Sequence, residues 1–180
     1  MKEYRPRRKF HRARVTGWAA VALLTLTAVH RIFLVHPSPP EAWAGNSSAQ
    51  AQEAVVQRVV DGDTVVLSNR DRVRYIGIDT PELHHPKKPV QAYAREAMEF
   101  NRKLVEGKKV RLEFDVERRD KYNRLLAYVY LEDGTFVNAQ LVQQGYAHTL
   151  TIPPNVKYAD LFHKYQQEAR ESRRGLWGLR

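Results

Sequence analysis

Residues 55 to 78 read VVQRVVDGDTVVLSNRDRVRYIGI, and an Asp-Gly pair set between two valine-rich runs leaves few folds open. Valine is stiff at χ1 and suits an extended backbone, and Asp-Gly between two such runs is a strong hairpin signal. VVQRVV (55 to 60) and TVVLS (64 to 68) therefore pair across Asp61-Gly62-Asp63. The turn Asn69 to Asp71 then leads into RVRYIGI (72 to 78), so a three-stranded meander is expected.

After Pro89 the period becomes helical. Val90, Tyr93, Ala94, Ala97, Phe100, Leu104 and Val105 fall on one stripe, and Gly107 ends it. KKVRLEFDV (108 to 116) alternates Val110, Leu112, Phe114 and Val116 on one face, and LLAYVYL (125 to 131) is a fifth strand closed by Asp133-Gly134. Asn138 can N-cap a short helix that stops at Gly145. A last helix runs from about Tyr158 to Arg174, with Leu176 and Trp177 placed to fold back on the core. The class is α+β. Five strands are few enough to curl, and a five-stranded oligonucleotide-binding (OB-type) β-barrel with three α-helices is the economical solution. A flat α+β sandwich is the alternative that pattern alone does not separate.

This domain is expected over residues 54 to 180, behind a polar linker (45 to 53) and an N-terminal signal peptide or membrane anchor (1 to 44). Residues 1 to 14 carry Lys2, Arg5, Arg7, Arg8, Lys9, Arg12 and Arg14 against Glu3, and the apolar run VTGWAAVALLTLTAV follows. Ala42-Trp43-Ala44 has the small-residue form of a cleavage site. Apolar character resumes after Arg31 with IFLV, so residues 15 to 35 also suit an uncleaved anchor, although a cation within the span is costly. The Arg7-Arg8 pair allows a twin-arginine signal. Each reading puts the domain outside the cell, secreted, periplasmic or anchored. The chain has no cysteine, which excludes disulfides, thiolate metal sites and cysteine nucleophiles. Of the formal net charge of +10, residues 54 to 180 hold 22 basic and 17 acidic groups, about +5, compatible with a polyanionic partner.

Acids and arginines sit where the strands end. Asp61 and Asp63 lie at the first hairpin, where Asp61 reads as plain turn chemistry. Arg74, Asp79 and Glu82 belong to the third strand and its exit, and Arg124 opens the fifth strand after Asp120-Lys121-Tyr122-Asn123. Clustered carboxylates with a main-chain carbonyl are oxygen ligands for a hard divalent cation. Two guanidinium groups suit the oxygens of a phosphodiester, and a carboxylate free of metal can hold an attacking water. Taken singly, each residue also has an ordinary role in a turn or a surface ion pair.

DGDT (61 to 64), RYIGIDTPE (74 to 82), HPKK (85 to 88) and DKYNRLLAYVY (120 to 130), with VNAQLVQQGYA (137 to 147) and GLW (175 to 177), resemble the staphylococcal nuclease, or thermonuclease, family. The resemblance implies a calcium-dependent nuclease that cuts DNA and RNA, single strands favoured, to products ending in 3′-phosphate. It assigns Asp63, Asp79 and the Thr80 carbonyl to calcium (Ca2+), Glu82 to the general base, and Arg74 and Arg124 to the phosphate. Lys121 and Tyr122 fall where the family contacts a terminal phosphate. A monomer is expected. The chain departs from the family at HTLTIPPN (148 to 155), which has no aromatic residue where stacking tyrosines are common; Tyr146 or Tyr158 are substitutes, unless both are core residues. Asn123 stands where glycine is usual and tolerates positive φ. His84-His85 reads as solvent-facing, not as a metal pair, and Lys87 and Lys88 as part of a phosphate track.

Rival classes are a non-catalytic nucleic-acid-binding module on the same barrel, and an anchored protein that binds anionic glycans or membrane. Neither has a use for the full set of acids and arginines. The enzyme reading makes a geometric demand. Arg74 and Asp79 are five positions apart and would face opposite ways along an unbroken strand, so the strand must bulge or end near Gly77 or before Pro81.

Overall fold

The computed structural model describes residues 51 to 83 and 89 to 178. The N-terminal signal or anchor, most of the linker, His84, His85, Lys87 and Lys88 lie outside the described residues. No described helix is long and apolar enough to cross a membrane.

The meander forms as expected. β1 (Ala51–Asp61) pairs antiparallel with β2 (Thr64–Leu67), which pairs antiparallel with β3 (Arg72–Tyr75). Ala51 to Glu53, which the sequence places in the linker, are strand residues opposite Glu113 to Arg111 of β5 (Lys109–Glu113). β5 pairs with β6 (Leu125–Leu131), and β6 returns parallel to β3, closing a barrel in the order β1-β2-β3-β6-β5. Closure removes the open edges a flat sheet would present. Val56, Val65, Val73, Leu112, Ala127 and Val129 are fully buried in the core.

α1 (Ala94–Val105) buries Ala94, Ala97 and Val105 and lies against β1. Its first turn begins later than the apolar stripe suggests, so Val90 precedes it and is exposed. α2 (Val137–Gln143) packs on β6 and on α3 (Ala159–Glu171). Asn138 does not cap α2; the cap position is Phe136, with no side-chain bond. Asn138 is instead buried, accepting from Val129 N (2.9 Å) and donating to Ile76 O (2.9 Å) and Ala127 O (3.5 Å). A side chain with both donor and acceptor satisfies a strand and the next turn together, which a terminal cap would not.

The expected run RVRYIGI is not one strand. β3 ends at Tyr75, Gly77 has φ +80°, and a separate two-residue β4 (Ile78–Asp79) pairs with β7 (His148–Thr149). A Cβ on Gly77 would lie 2.4 Å from the Phe162 ring, so both the backbone angle and the packing of α3 require glycine. Leu176 and Trp177 do fold back: Leu176 N donates to Gly145 O (2.9 Å), and the Trp177 ring meets His148 edge-on at 4.9 Å.

Candidate active site

The break at Gly77 brings Arg74 and Asp79 together. Arg74 Nη2 lies 2.7 Å from Asp79 Oδ1 and 3.1 Å from Asp63 Oδ2, so one guanidinium nitrogen bridges the two carboxylates. Arg74 Nη1 donates to the carbonyls of Tyr75 (2.9 Å) and Ile78 (2.8 Å), the two sides of the turn its own strand makes. The fork is thereby locked in place.

Thr80 joins from the other side. Its amide donates to Asp63 Oδ2 (2.9 Å) and its hydroxyl to the same oxygen (3.1 Å), while Asp63 Oδ1 accepts from the Thr64 hydroxyl (3.0 Å). The approach depends on Gly62, where a Cβ would sit 2.7 Å from Thr80 Oγ1. Asn101, wholly buried on α1, steadies the hairpin by donating to Asp61 O (3.4 Å) and accepting from Tyr75 OH (3.1 Å). Glu82 is exposed, and its backbone is tied to Gln91 by its amide (2.9 Å) and its carbonyl (3.1 Å).

Negative charge is in excess at this end of the barrel. Burial pushes the Asp61 carboxyl up to about 6 against the hydrogen bond from Gly62, and the charges of Asp63 and Glu82 add to the rise. Burial also raises Asp79; Arg74 pulls it back, while Asp63 and Glu82 push it further up. Asp61, taken in the sequence for a turn residue, belongs electrostatically to the site. Its signal was available, since a carboxylate two residues from Asp63 projects from the same hairpin.

Arg124 is fixed by Asp120, at the start of the turn before it. Asp120 Oδ2 accepts from Arg124 Nε (2.7 Å), and Asp120 Oδ1 accepts from the amides of Tyr122 (2.9 Å) and Arg124 (3.0 Å). Burial alone would raise Asp120, but the Arg124 amide and guanidinium outweigh it and hold the carboxyl below its ordinary value. Asn123 takes φ +62°, as its place in the turn requires. Arg124 also lies over the Tyr122 ring at 5.6 Å, and Lys121 at 5.1 Å; Tyr122 is 68% exposed.

A groove of about 430 Å³ collects these parts. Arg74, Arg124, Lys121, Tyr122, Leu150 and Ile152 line it, a volume within the range of small-ligand sites. The predicted arginines and the terminal-phosphate pair thus share one cavity, with Asp63 and Asp79 reaching it through Arg74. The substitution of Tyr146 or Tyr158 for the missing stacking residues is wrong. Tyr146 is stacked on Phe100 (4.2 Å) and Tyr93 (5.5 Å), and Tyr158 packs edge-on against Tyr128 (4.6 Å) with its hydroxyl on Glu113 (3.0 Å). Both rings are committed to packing.

Asp63, Asp79 and the Thr80 carbonyl fit a hard cation. The carboxylates share a single guanidinium nitrogen, and the charges of Asp63 and Glu82 add to the burial that raises both Asp61 and Asp79, a surplus a divalent ion would offset. Among the described residues no three acidic or histidine side chains converge tightly enough to form a cage alone. A site of this kind relies on main-chain oxygen and water for its remaining ligands.

Residues 72–178 match the family model described as Staphylococcal nuclease homologue. The chain is 38% identical over 160 residues to a Thermonuclease of Staphylococcus intermedius, covering 87% of this chain and 95% of that one. It is 34% identical to a Thermonuclease of Staphylococcus hyicus (91% and 98% covered), and 42% identical to Endonuclease YncB of Bacillus subtilis (76% and 69% covered). Fold and kinship define the class: a hydrolase, and within the hydrolases a nuclease. The chain belongs to the staphylococcal nuclease family.

Proposed function

We propose that the chain is a calcium-dependent endonuclease that hydrolyses DNA and RNA, single strands favoured, to a 3′-phosphate and a 5′-hydroxyl. The carrying observation is the Arg74 guanidinium, which bridges Asp63 and Asp79 while lining the groove that Arg124 also lines. Asp63, Asp79 and the Thr80 carbonyl would hold the calcium, which supplies Lewis-acid and templating chemistry when bound. Glu82, exposed and anchored by its backbone, orients or deprotonates the water. The water oxygen attacks phosphorus in line, the bond to the 5′ oxygen breaks, and that oxygen leaves with the electron pair and takes up a proton. Charge grows on the equatorial oxygens as this happens. Arg124, held by Asp120 through Nε, strengthens its bonds to those oxygens. Arg74, whose Nη groups hold the Tyr75 and Ile78 carbonyls and the Asp63 and Asp79 carboxylates, turns its carboxylate-bound nitrogen to the phosphate as those acids take the cation. Lys121 and Tyr122 hold the terminal phosphate. The protein acts outside the cell, exported through its basic and apolar N-terminus.

The test is cleavage of single-stranded DNA and RNA by the full chain and by Glu82→Gln, in calcium and in excess chelator. Calcium-dependent cleavage that falls at least about a hundredfold in the variant is expected. Equal cleavage by variant and parent, or cleavage indifferent to chelator, would overturn the assignment.

A further inference from the structure

The groove carries an acidic side chain that the proposed hydrolysis does not use. Asp120 is spent on Arg124 and its turn, but Glu117, which also lines the groove, is exposed. Its backbone is held rigidly: its amide donates to Asn155 Oδ1 (2.8 Å), and its carbonyl accepts from Asn155 Nδ2 (2.8 Å). Asn155 is 6% exposed, so this clamp is shielded from water. Among the described residues the Glu117 carboxylate makes no hydrogen bond or ion pair. A carboxylate is a poor lining for a phosphate groove. It repels the backbone it faces, and when ionised it only accepts hydrogen bonds.

The part of a nucleic acid that donates hydrogen bonds is the base edge. Guanine offers two adjacent donors, N1–H and the N2 amino group, which match the two oxygens of one carboxylate. Adenine and cytosine offer an amino group beside an acceptor, and thymine and uracil one imino proton between two carbonyls. We propose that Glu117 is a specificity-determining residue that takes the Watson–Crick edge of an unpaired guanine next to the scissile phosphate. This deepens the nuclease reading and rests on it. The remainder of the groove suits a base: Tyr122, Leu150 and Ile152 are 68%, 39% and 59% exposed and give its faces apolar contact. Leu150 and Ile152 are aliphatic and provide less than aromatic stacking, so edge recognition carries more of the choice among bases. Single strands are preferred on the same ground, since pairing hides the Watson–Crick edge.

The experiment maps cleavage sites on an end-labelled single-stranded DNA that presents each base in every neighbour context, in calcium, for the full chain, Glu117→Gln and Glu117→Ala. Both variants leave the backbone clamp to Asn155 untouched. The parent should favour guanine over thymine by about 5- to 100-fold, and both variants should bring that ratio near one. Calorimetric binding of dGMP and of TMP in calcium should show the same preference and the same loss. An unchanged guanine-to-thymine ratio in the variants, in cleavage or in binding, overturns the role of Glu117 and leaves the nuclease reading intact. Absence of cleavage by the parent overturns the nuclease reading, and the dGMP-to-TMP binding ratio then decides Glu117 alone.

Discussion

Arg74 and Arg124 reach the same groove by different means, and each owes its direction to particular acceptors. Arg74 is held by two carbonyls and two carboxylates, Arg124 by Asp120. Lysine keeps the charge but loses the planar fork, so Arg124→Lys should lower the rate about 10² to 10³-fold with the fold intact, measured as kcat with circular dichroism alongside. Near-normal turnover would remove Arg124 from catalysis. Asp120 makes a pH prediction. Its folded-state carboxyl titrates below its unfolded value, so its contribution to stability is full above that value, near 4, and is lost as pH falls through the lower folded one. In chelator, the stability gap between the parent and Asp120→Asn should be constant above about pH 5 and close toward pH 2. A gap that widens on acidification would contradict the assignment.

The elements matter through where they stop. RYIGIDTPE carries a cation at one end and carboxylates at the other because its strand breaks in the middle, at a glycine with positive φ under the Phe162 ring. Gly77→Ala should cost about 2 kcal/mol or more in urea unfolding, from backbone strain and the displaced ring together. It should also lower activity by misplacing Asp79. Asn138 joins β6 and the Tyr75–Gly77 turn to α2, so Asn138→Ala leaves buried donors and acceptors unmet and should cost on the order of 3 kcal/mol. The barrel strands and the helices were legible in the valine-rich runs, in LLAYVYL and in the stripe from Tyr93 to Val105, since period and turn residues are local signals, whereas RVRYIGI showed a strand but not its end at Tyr75. The β4–β7 pair was not, because two residues carry no period and the partners lie far apart in the chain.

At the scale of the whole molecule the site is a store of unbalanced charge held by a closed barrel. Asp61 and Asp63 at the β1–β2 hairpin meet Asp79 of β4 and the charge of Glu82 beyond it, and among the described residues Arg74 bridges Asp63 and Asp79 against their repulsion. Calcium should therefore raise thermal stability, by about 2.7 kcal/mol at a hundredfold excess over its dissociation constant. The increment should shrink in Asp63→Asn, read by calorimetry with and without calcium. An equal increment in the variant would place the ion elsewhere.

Residue identities and their spacing sufficed for the five barrel strands, the helices and the family resemblance, because strand period, turn chemistry and motif order are written along the chain; whether the sheet closes into a barrel they left open. Only the tertiary structure decided that Asp61 shares the charge of the site, that Asp120 aims Arg124, that Tyr146 and Tyr158 are core, and that Glu117 faces the groove. Those outcomes depend on burial and on distances between residues remote in sequence. Both are set by how the barrel closes, and no local pattern contains them.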